Sequence, residues 1–191
     1  MQTTDKVFGL LNGIRKLSPE LHDYINSNLE FHVYKKKEIY LEIGQICRQM
    51  AFVEKGFFRC YNVDDEGKEI NSWFMQEGDV MIAVDSYYDQ VPSKQGIQAT
   101  EDSEVWSISH DKLEKYIYEE YPEFNYHGRI LTLKYSRHFC KEKDMLQLNK
   151  SVEERLRYVV QTFPGLRDRV YNKDLASYAR ISEGEMSRIR L

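Results

Sequence analysis

Four glycines recur at nearly equal intervals in the middle of the chain, and they constrain the fold more than any other feature. Gly44, Gly56, Gly67 and Gly78 are separated by 12, 11 and 11 residues, and each lies beside polar, turn-forming residues. Glycine readily adopts the positive φ angles that tight hairpin turns require. The spacing therefore predicts a series of short strands that reverse direction at these glycines.

The segments between these turns have the composition of strands. From about residue 31 to residue 108 the chain consists of short aromatic and β-branched runs, among them FHVYKKKEIYLEIGQ, AFVEKGFFRCYNV, EINSWFM, DVMIAV, GIQAT and EVWSIS. Many short strands with turns every 8–12 residues are typical of an antiparallel sandwich or barrel. We therefore expect an antiparallel β domain in this region.

Helical patterns flank the β region on both sides. Apolar residues within 7–14 recur at i, i+3, i+4 and i+7, which predicts a short helix. Ser18 can cap a second helix, with Pro19 at its first position. After the β region, HDKLEKYIYEEYPEF (110–124) predicts a short helix broken near Pro122. Residues 123–148 contain no proline and can form one helix about 37 Å long.

The long helix carries an apolar and aromatic seam that needs a covering surface. Its members are Phe124, Leu131, Tyr135, His138 and Met145, with Gly128 and Glu142 interrupting the seam. A long helix is stable in water only when it packs against something. We expect either the β domain or a second subunit to cover this seam. A hinge is expected at 148–150, before a helix opened by a capping box of Ser151 and Glu154.

The last twenty residues have the pattern of a helix-turn-helix unit. Asn172 can cap a first helix in which the small residue Ala176 lets a second helix cross closely. A tight connection through Arg180 leads to another capping box, formed by Ser182 and Glu185. Two short helices joined in this way define the helix-turn-helix, whose second helix enters the DNA major groove.

The polar residues of this unit are the candidate DNA contacts. Arg188 lies far enough along the second helix for its guanidinium to reach O6 and N7 of a guanine, while Arg180 and Ser182 suit phosphate oxygens. The full candidate set is Lys173, Arg180, Ser182, Glu183, Glu185, Ser187, Arg188 and Arg190. The alternative is a helical hairpin packed on the β domain, with Arg188 and Arg190 as solvated charges.

Charge and cysteine content restrict the classes of protein. The net charge is −4, but residues 151–191 carry +2, so the remaining 150 residues carry −6. This asymmetry favours a basic contact at the C-terminus. Cys47, Cys60 and Cys140 are too few and too scattered for a disulfide framework, which fits a reducing cytosol. With no signal-peptide pattern and no apolar span, we expect a cytoplasmic protein without membrane contact.

The motifs and their order resemble the CRP/FNR family of bacterial transcription regulators. The stretch from KKKEIYLEIGQ to MQEGDV is similar to the family's cyclic-nucleotide-binding-type β-roll, and DLASYARISEGEMSRIR is similar to its recognition unit. The resemblance implies an α+β fold with an N-terminal antiparallel β-roll, a double-stranded β-helix of the jelly-roll kind. A long dimerisation helix and a C-terminal winged-helix-type helix-turn-helix domain would follow. The implied domains are 1–122, 123–148 and 149–191.

The same resemblance implies a homodimer that binds double-stranded DNA at a palindromic operator, with RNA polymerase as a further candidate partner. Ser182 and Arg188 match family positions that touch a phosphate and a base. The chain departs from the family at Arg180, where glycine is common in the turn. It departs again at Glu183 and Gly184, where an Arg-Glu pair usually opens the recognition helix. The preferred DNA sequence therefore need not be the family's best-known one.

The sensor region lacks the residues that hold a cyclic nucleotide in this fold. Ile82-Ala83 stand where the family has Gly-Glu, and Ser93-Lys94 stand where it has Arg followed by Ser or Thr. A lysine cannot form the bidentate fork of an arginine. We therefore expect no binding of cyclic AMP and an unknown small-molecule effector, unless the pocket is packed shut. The candidate pocket residues are Asp85, Ser86, Tyr87, Ser93, Lys94 and Gln95.

Other chemistries find little support. An iron–sulfur cluster needs four thiolates, and His110, His127 and His138 are isolated candidates for haem. His32 is the only histidine of the β region, so a barrel metal site is not expected. We therefore expect no catalytic residues, no metal and no cofactor. Two alternatives stay open: a ligand- or partner-binding protein that has lost DNA affinity, supported by Glu183 and Glu185, and, remotely, a β-barrel enzyme.

Overall fold

A computed structural model describes residues 4–146 and 150–188. Its strands are β1 Glu30–Tyr34, β2 Ile39–Leu41, β3 Gln49–Lys55, β4 Phe58–Val63, β5 Glu69–Met75, β6 Val80–Met81, β7 Gly96–Ala99 and β8 Ser103–Ser109. They form two antiparallel four-stranded sheets, in the orders β1-β8-β3-β6 and β2-β7-β4-β5. The predicted antiparallel β-roll is confirmed.

The evenly spaced glycines lie at turns, as their spacing predicts. Gly44, Gly56, Gly67 and Gly78 all have positive φ angles between 80° and 100°. Gly56 is also required sterically, because a Cβ there would lie only 2.6 Å from the Cα of Ser103. The repeat of 11–12 residues is therefore the length of one strand plus one tight turn.

One apolar core joins the two sheets to the N-terminal helices, α1 Asp5–Ile14 and α2 Pro19–Asn28. Val53 and Val105 of the first sheet and Phe58 and Ile97 of the second are fully buried in it. Each such side chain contributes about 1.5–3 kcal/mol by leaving water. Ser18 caps α2 as predicted, since its hydroxyl accepts a hydrogen bond from the next turn of backbone.

The helices that precede the C-terminal unit include α-helices, a π-helix and a 3-10 turn. Helix α3 Val84–Asp89 lies inside the roll sequence, and a π-helix, Asp111–Ile117, follows β8. The short α4 Tyr118–Glu120 and a 3-10 turn at Pro122–Phe124 lead into α5 Asn125–Met145. The predicted long helix is therefore confirmed. Its expected last residues and the first part of the expected hinge, 147–149, lie outside the described residues.

The C-terminal unit is helical over 150–188. Its helices are α6 Val152–Thr162, α7 Leu166–Arg169, α8 Asn172–Tyr178 and α9 Glu183–Arg188. The capping box of Ser151 and Glu154 is present at the start of α6. Asn172 is not the N-cap that we predicted: the extended residue Tyr171 occupies that position, and Asn172 is already helical. No strand of a wing lies within this described stretch.

Together these elements give the α+β class that was expected: a β-roll with flanking helices, a long helix and a terminal helical unit. The three domain boundaries themselves stay a prediction. None of the helices described in 4–146 and 150–188 is both long and apolar enough to traverse a lipid bilayer.

Candidate DNA-binding surface

The turn between α8 and α9 is held in a defined shape by its own backbone and by Arg155. Arg180 adopts a left-handed conformation, with φ of 55°, at the position where glycine would be easiest. The buried Arg155 donates from Nη1 to the carbonyl oxygen of Ala179 at 3.0 Å and to that of Arg180. The amide of Ile181 donates to the carbonyl of Ala176 at 3.0 Å. Helix α9 is therefore fixed relative to α8.

The second predicted capping box is confirmed. The amide of Glu185 donates to Ser182 Oγ at 3.1 Å, and the amide of Ser182 donates to Glu185 Oε2 at 2.8 Å. The Ser182 hydroxyl also donates to that carboxylate, at 2.7 Å. The hydrogen bond from the Ser182 backbone amide, followed by that from its hydroxyl, lowers the pKa of the Glu185 carboxyl. A carboxylate thus occupies the donors that were predicted to bind a phosphate.

The candidate DNA contacts lie on the solvent side of this unit. Leu175, Ala176 and Met186 are buried beneath it. The exposed residues are Lys173, Arg180, Ser182, Glu183, Glu185, Ser187 and Arg188. The Ser187 hydroxyl donates to the Gly184 carbonyl within the helix. Arg190 lies outside the described residues, as does Ile189.

The opposite face of α8 is docked on β5 through a buried polar network that sequence analysis did not find. Arg59 Nη1 lies 3.3 Å from Asp174 Oδ1 and donates to Asn71 Oδ1 at 3.2 Å. The side-chain amide of Asn71 donates to the Asp174 carbonyl at 3.0 Å, and its backbone amide donates to Ser177 Oγ at 3.0 Å. Arg59, Asn71 and Asp174 are each about 5% exposed.

Aromatic side chains and a second ion-pair cluster complete this interface. Phe57 and Phe74 of the roll lie in one apolar cluster with Phe163 and Tyr178, and the Phe74 and Tyr178 rings are 4.7 Å apart. Arg169 lies over the Phe57 ring. Its guanidinium is paired at 2.6 Å with carboxylate oxygens of both Glu77 and Glu101.

The predicted seam of the long helix is covered by the protein's own domains. Leu131 and Tyr135 pack on the roll, and the Tyr135 hydroxyl accepts a hydrogen bond from the Val80 amide. His138 stands edge-on to Trp73. Glu142 is buried where α5 meets α8: burial raises the pKa of its carboxyl to about 7, although Tyr178 and Arg180 act in the opposite direction.

Two of the six residues of the predicted sensor pocket form internal hydrogen bonds through their side chains. Ser86 Oγ donates to the Val91 carbonyl at 2.6 Å and accepts from the Cys47 amide at 2.9 Å. Ser93 Oγ donates to the Gln95 carbonyl at 2.8 Å and accepts from the Gln95 amide. These two hydroxyls are therefore not free for a ligand.

The remaining candidates of this region differ in exposure. Tyr87 is fully buried, and burial together with the nearby Glu114 charge raises its pKa. Asp85 and Lys94 are exposed, and Gln95 is half-buried. Over 4–146 and 150–188 no cluster of three or more His, Cys, Asp or Glu side chains could hold a metal ion.

Comparison with known proteins identifies the fold. Residues 31–120 match the family model of the cyclic nucleotide-binding domain. FixK2 from Bradyrhizobium japonicum is similar in structure, with a TM-score of 0.71, 18% identity and coverage of 84% of this chain and 81% of FixK2. The Catabolite Activator Protein of Thermus thermophilus has a TM-score of 0.57 at 19% identity, with coverage of 92% of this chain and 83% of its own. No curated protein sequence matches the chain.

A third similar structure carries the family name that the sequence suggested. A protein from Eubacterium rectale, described as a transcriptional regulator of the CRP/FNR family, has a TM-score of 0.71 at 18% identity and covers 95% of this chain and 84% of its own. Residues 31–120 therefore match the cyclic nucleotide-binding domain, and the chain has the fold of CRP/FNR regulators, which confirms the resemblance. At these identities the likeness establishes the fold alone.

Proposed function

We propose that this chain is a dimeric, DNA-binding transcription regulator of the CRP/FNR type that acts in the cytoplasm. The observation that carries the proposal is the outer face of the α8–α9 unit, where Lys173, Arg180 and Arg188 are exposed on a helix-turn-helix of fixed geometry. Two similarly folded proteins are named as an activator and as a transcriptional regulator, which supports the same role here.

The proposed dimer forms along the free face of α5. Tyr126, Leu133 and Cys140 follow one another at intervals of seven residues and are all exposed, with Ile130 and Arg137 four residues after the first two. A seven-residue repeat is the spacing that lets two helices pack along a seam. Leu133 and Tyr126 are among the large hydrophobic residues left exposed. A second copy of α5 would cover them.

Dimerisation would set the spacing of the two recognition helices. Two such helices must be about 34 Å apart to meet successive major grooves of a palindromic duplex. A small-molecule effector would act by shifting the population between well-spaced and poorly spaced arrangements. RNA polymerase is a candidate partner of the bound form.

Cyclic AMP is not the effector in this proposal. The Ser86 and Ser93 hydroxyls are engaged within the chain, and Tyr87 is fully buried. Lys94 supplies a point charge where an arginine fork would be needed. Titration calorimetry with cyclic AMP and cyclic GMP tests this, and micromolar binding of either would contradict it.

Selection from a random duplex pool tests DNA recognition. We expect the recovered sites to share a two-fold symmetric motif with half-sites about one helical turn apart. An asymmetric motif would contradict the dimeric arrangement. Enrichment no better than that of an unrelated protein would contradict DNA recognition itself.

Oxidative cross-linking tests the dimer independently of DNA. Cys140 is exposed on the proposed seam, whereas Cys47 and Cys60 are buried. Mild oxidation should therefore give a covalent dimer that disappears in Cys140→Ser. A monomer at micromolar concentration, or cross-linking that survives this substitution, would contradict the α5 seam.

A second candidate function is binding of a ligand or partner without DNA binding. The observation that favours it is the Glu185 carboxylate, which occupies both the hydroxyl and the amide of Ser182 at the start of α9. A protein of this kind would enrich no duplex from the pool. The random selection therefore separates the two candidates.

A further inference from the structure

A cavity of about 600 Å³ lies outside the roll, between the loop that joins α1 to α2 and the start of α5. This volume is within the range of sites for small organic ligands. The side chains of Leu17, Pro19 and Leu21 give it an apolar part. The cavity is therefore suited to a ligand that has an apolar body as well as a polar group.

The polar part of the lining is mainly cationic. Arg15 and Lys16 are consecutive in the loop, and neither forms an ion pair within the described residues. Glu123 is the acidic residue of the lining. His22, which also lines the cavity, has its Nδ1 3.2 Å from Asp23 Oδ1. The cavity also adjoins the start of the ten-residue helix α2, whose dipole favours a negative charge.

His127 supplies an independent indication of a ligand. It lines the cavity although only 1% of its surface is exposed. Its Nε2 is 2.9 Å from the Arg15 carbonyl oxygen, which can only accept, so the proton lies on Nε2. Nδ1 is buried without a hydrogen-bond partner in the described part of the chain. Leaving a buried polar atom unpaired is costly.

We propose that this cavity binds a small organic carboxylate. The carboxylate would contact Arg15 and Lys16, a hydrogen-bond donor elsewhere on the ligand would meet the unpaired Nδ1 of His127, and the apolar body would lie against Leu17 and Leu21. Charge-assisted hydrogen bonds of this type are stronger than neutral ones. The site is separate from the roll and from the α8–α9 unit, and the inference does not depend on DNA binding.

Titration calorimetry of the full chain with benzoate, benzamide and inorganic phosphate tests the proposal. Benzoate should bind at least about tenfold more tightly than its neutral isostere benzamide. Equal binding of benzoate and benzamide would overturn the anion site. Phosphate binding as tight as that of benzoate would overturn the organic carboxylate.

Variants locate the site. Arg15→Gln and Lys16→Gln should each weaken benzoate about tenfold. Lys68→Gln, in the exposed turn between β4 and β5, is the matched control and should bind normally. Unchanged affinity in Arg15→Gln would overturn the assignment.

Discussion

The inner face of the α8–α9 unit is held by contacts with the roll, whereas its outer face is exposed to solvent. The inner face is docked on the roll by the buried residues Arg59, Asn71 and Asp174 and by packed aromatic rings. The outer face exposes the Arg180 and Arg188 side chains to solvent. A buried polar network specifies one orientation because any displacement leaves charges unsatisfied. The roll therefore positions the unit, while the outer face is free to bind.

The largest expected effect comes from a substitution that disrupts the buried network on the inner face. Asp174→Ala removes one of the two carboxylates paired with the buried Arg59 guanidinium, which keeps its 2.5 Å pair with Glu69, and hydrogen bonds to charged groups typically contribute about 1.5–3 kcal/mol. The free energy of unfolding, measured by urea denaturation, should fall by that amount. Asp168→Ala, an exposed aspartate of α7, is the control and should change it by less than about 0.5 kcal/mol. Equal effects of the two would contradict the network.

The buried carboxyl of Glu142 should make stability depend on pH. Its pKa is raised from 4.5 to about 7 by burial, so the folded state keeps a proton that the unfolded state releases. The free energy of unfolding should therefore fall between about pH 4.5 and 7, by up to about 3 kcal/mol.

Glu142→Gln tests this by removing the titrating group. Its stability should be flatter across that range and should exceed that of the unmodified chain at pH 8. Glu66→Gln, exposed in the β4–β5 turn, should leave the profile unchanged. A profile in Glu142→Gln identical to that of the unmodified chain would show that another group is responsible.

A substitution on the outer face should weaken DNA binding and leave stability unchanged. Arg188→Ala should weaken binding to the selected duplex by about 1–3 kcal/mol and relax selectivity at one base position. Its unfolding free energy should change by less than about 0.5 kcal/mol, because the side chain is exposed. Arg48→Ala, an exposed arginine of the roll, should bind DNA normally. Unchanged selectivity in Arg188→Ala would exclude its role at a base.

The smallest effect concerns the half-exposed cluster at the rim of the interface. Arg169→Gln removes the partly solvated pairs with Glu77 and Glu101, and we expect a cost of about 1 kcal/mol, at the upper end of the range for solvent-exposed pairs. Urea denaturation should show a loss of that size, with Arg167→Gln, an exposed neighbour, as the reference. A loss as large as that of Asp174→Ala would mean that burial is not what distinguishes the two clusters.

Local features of the fold could be predicted from the sequence because they depend on few neighbouring residues. The glycine spacing indicated the turns at Gly56 and Gly67, and the capping boxes at Ser151 and Ser182 begin helices as expected. The π-helix at Asp111–Ile117 was expected to be an ordinary helix, since its hydrogen-bond pattern leaves no mark in apolar spacing. Asn172 was misplaced as a cap by one residue, which is within the usual uncertainty of helix ends.

The docking of the terminal unit could not be predicted, because it depends on contacts between distant residues. Arg59 and Asp174 are 115 positions apart, and no local pattern pairs them. A signal was nevertheless present in FFRCYNV, where an arginine interrupts an otherwise apolar strand. A charge in such a place needs a buried partner. The DNA and pocket roles of the outer residues and of Ser86 and Ser93 stay predictions.

The dependence of DNA affinity on salt tests the central claim most directly. Lys173 and Arg180, present in two copies, would neutralise four phosphates, so the logarithm of the association constant should fall with that of the salt concentration with a slope of about −3.6. Fluorescence anisotropy with the selected duplex measures this slope. A value near −3.6 is the predicted result; a slope near zero would contradict DNA binding through the α8–α9 surface.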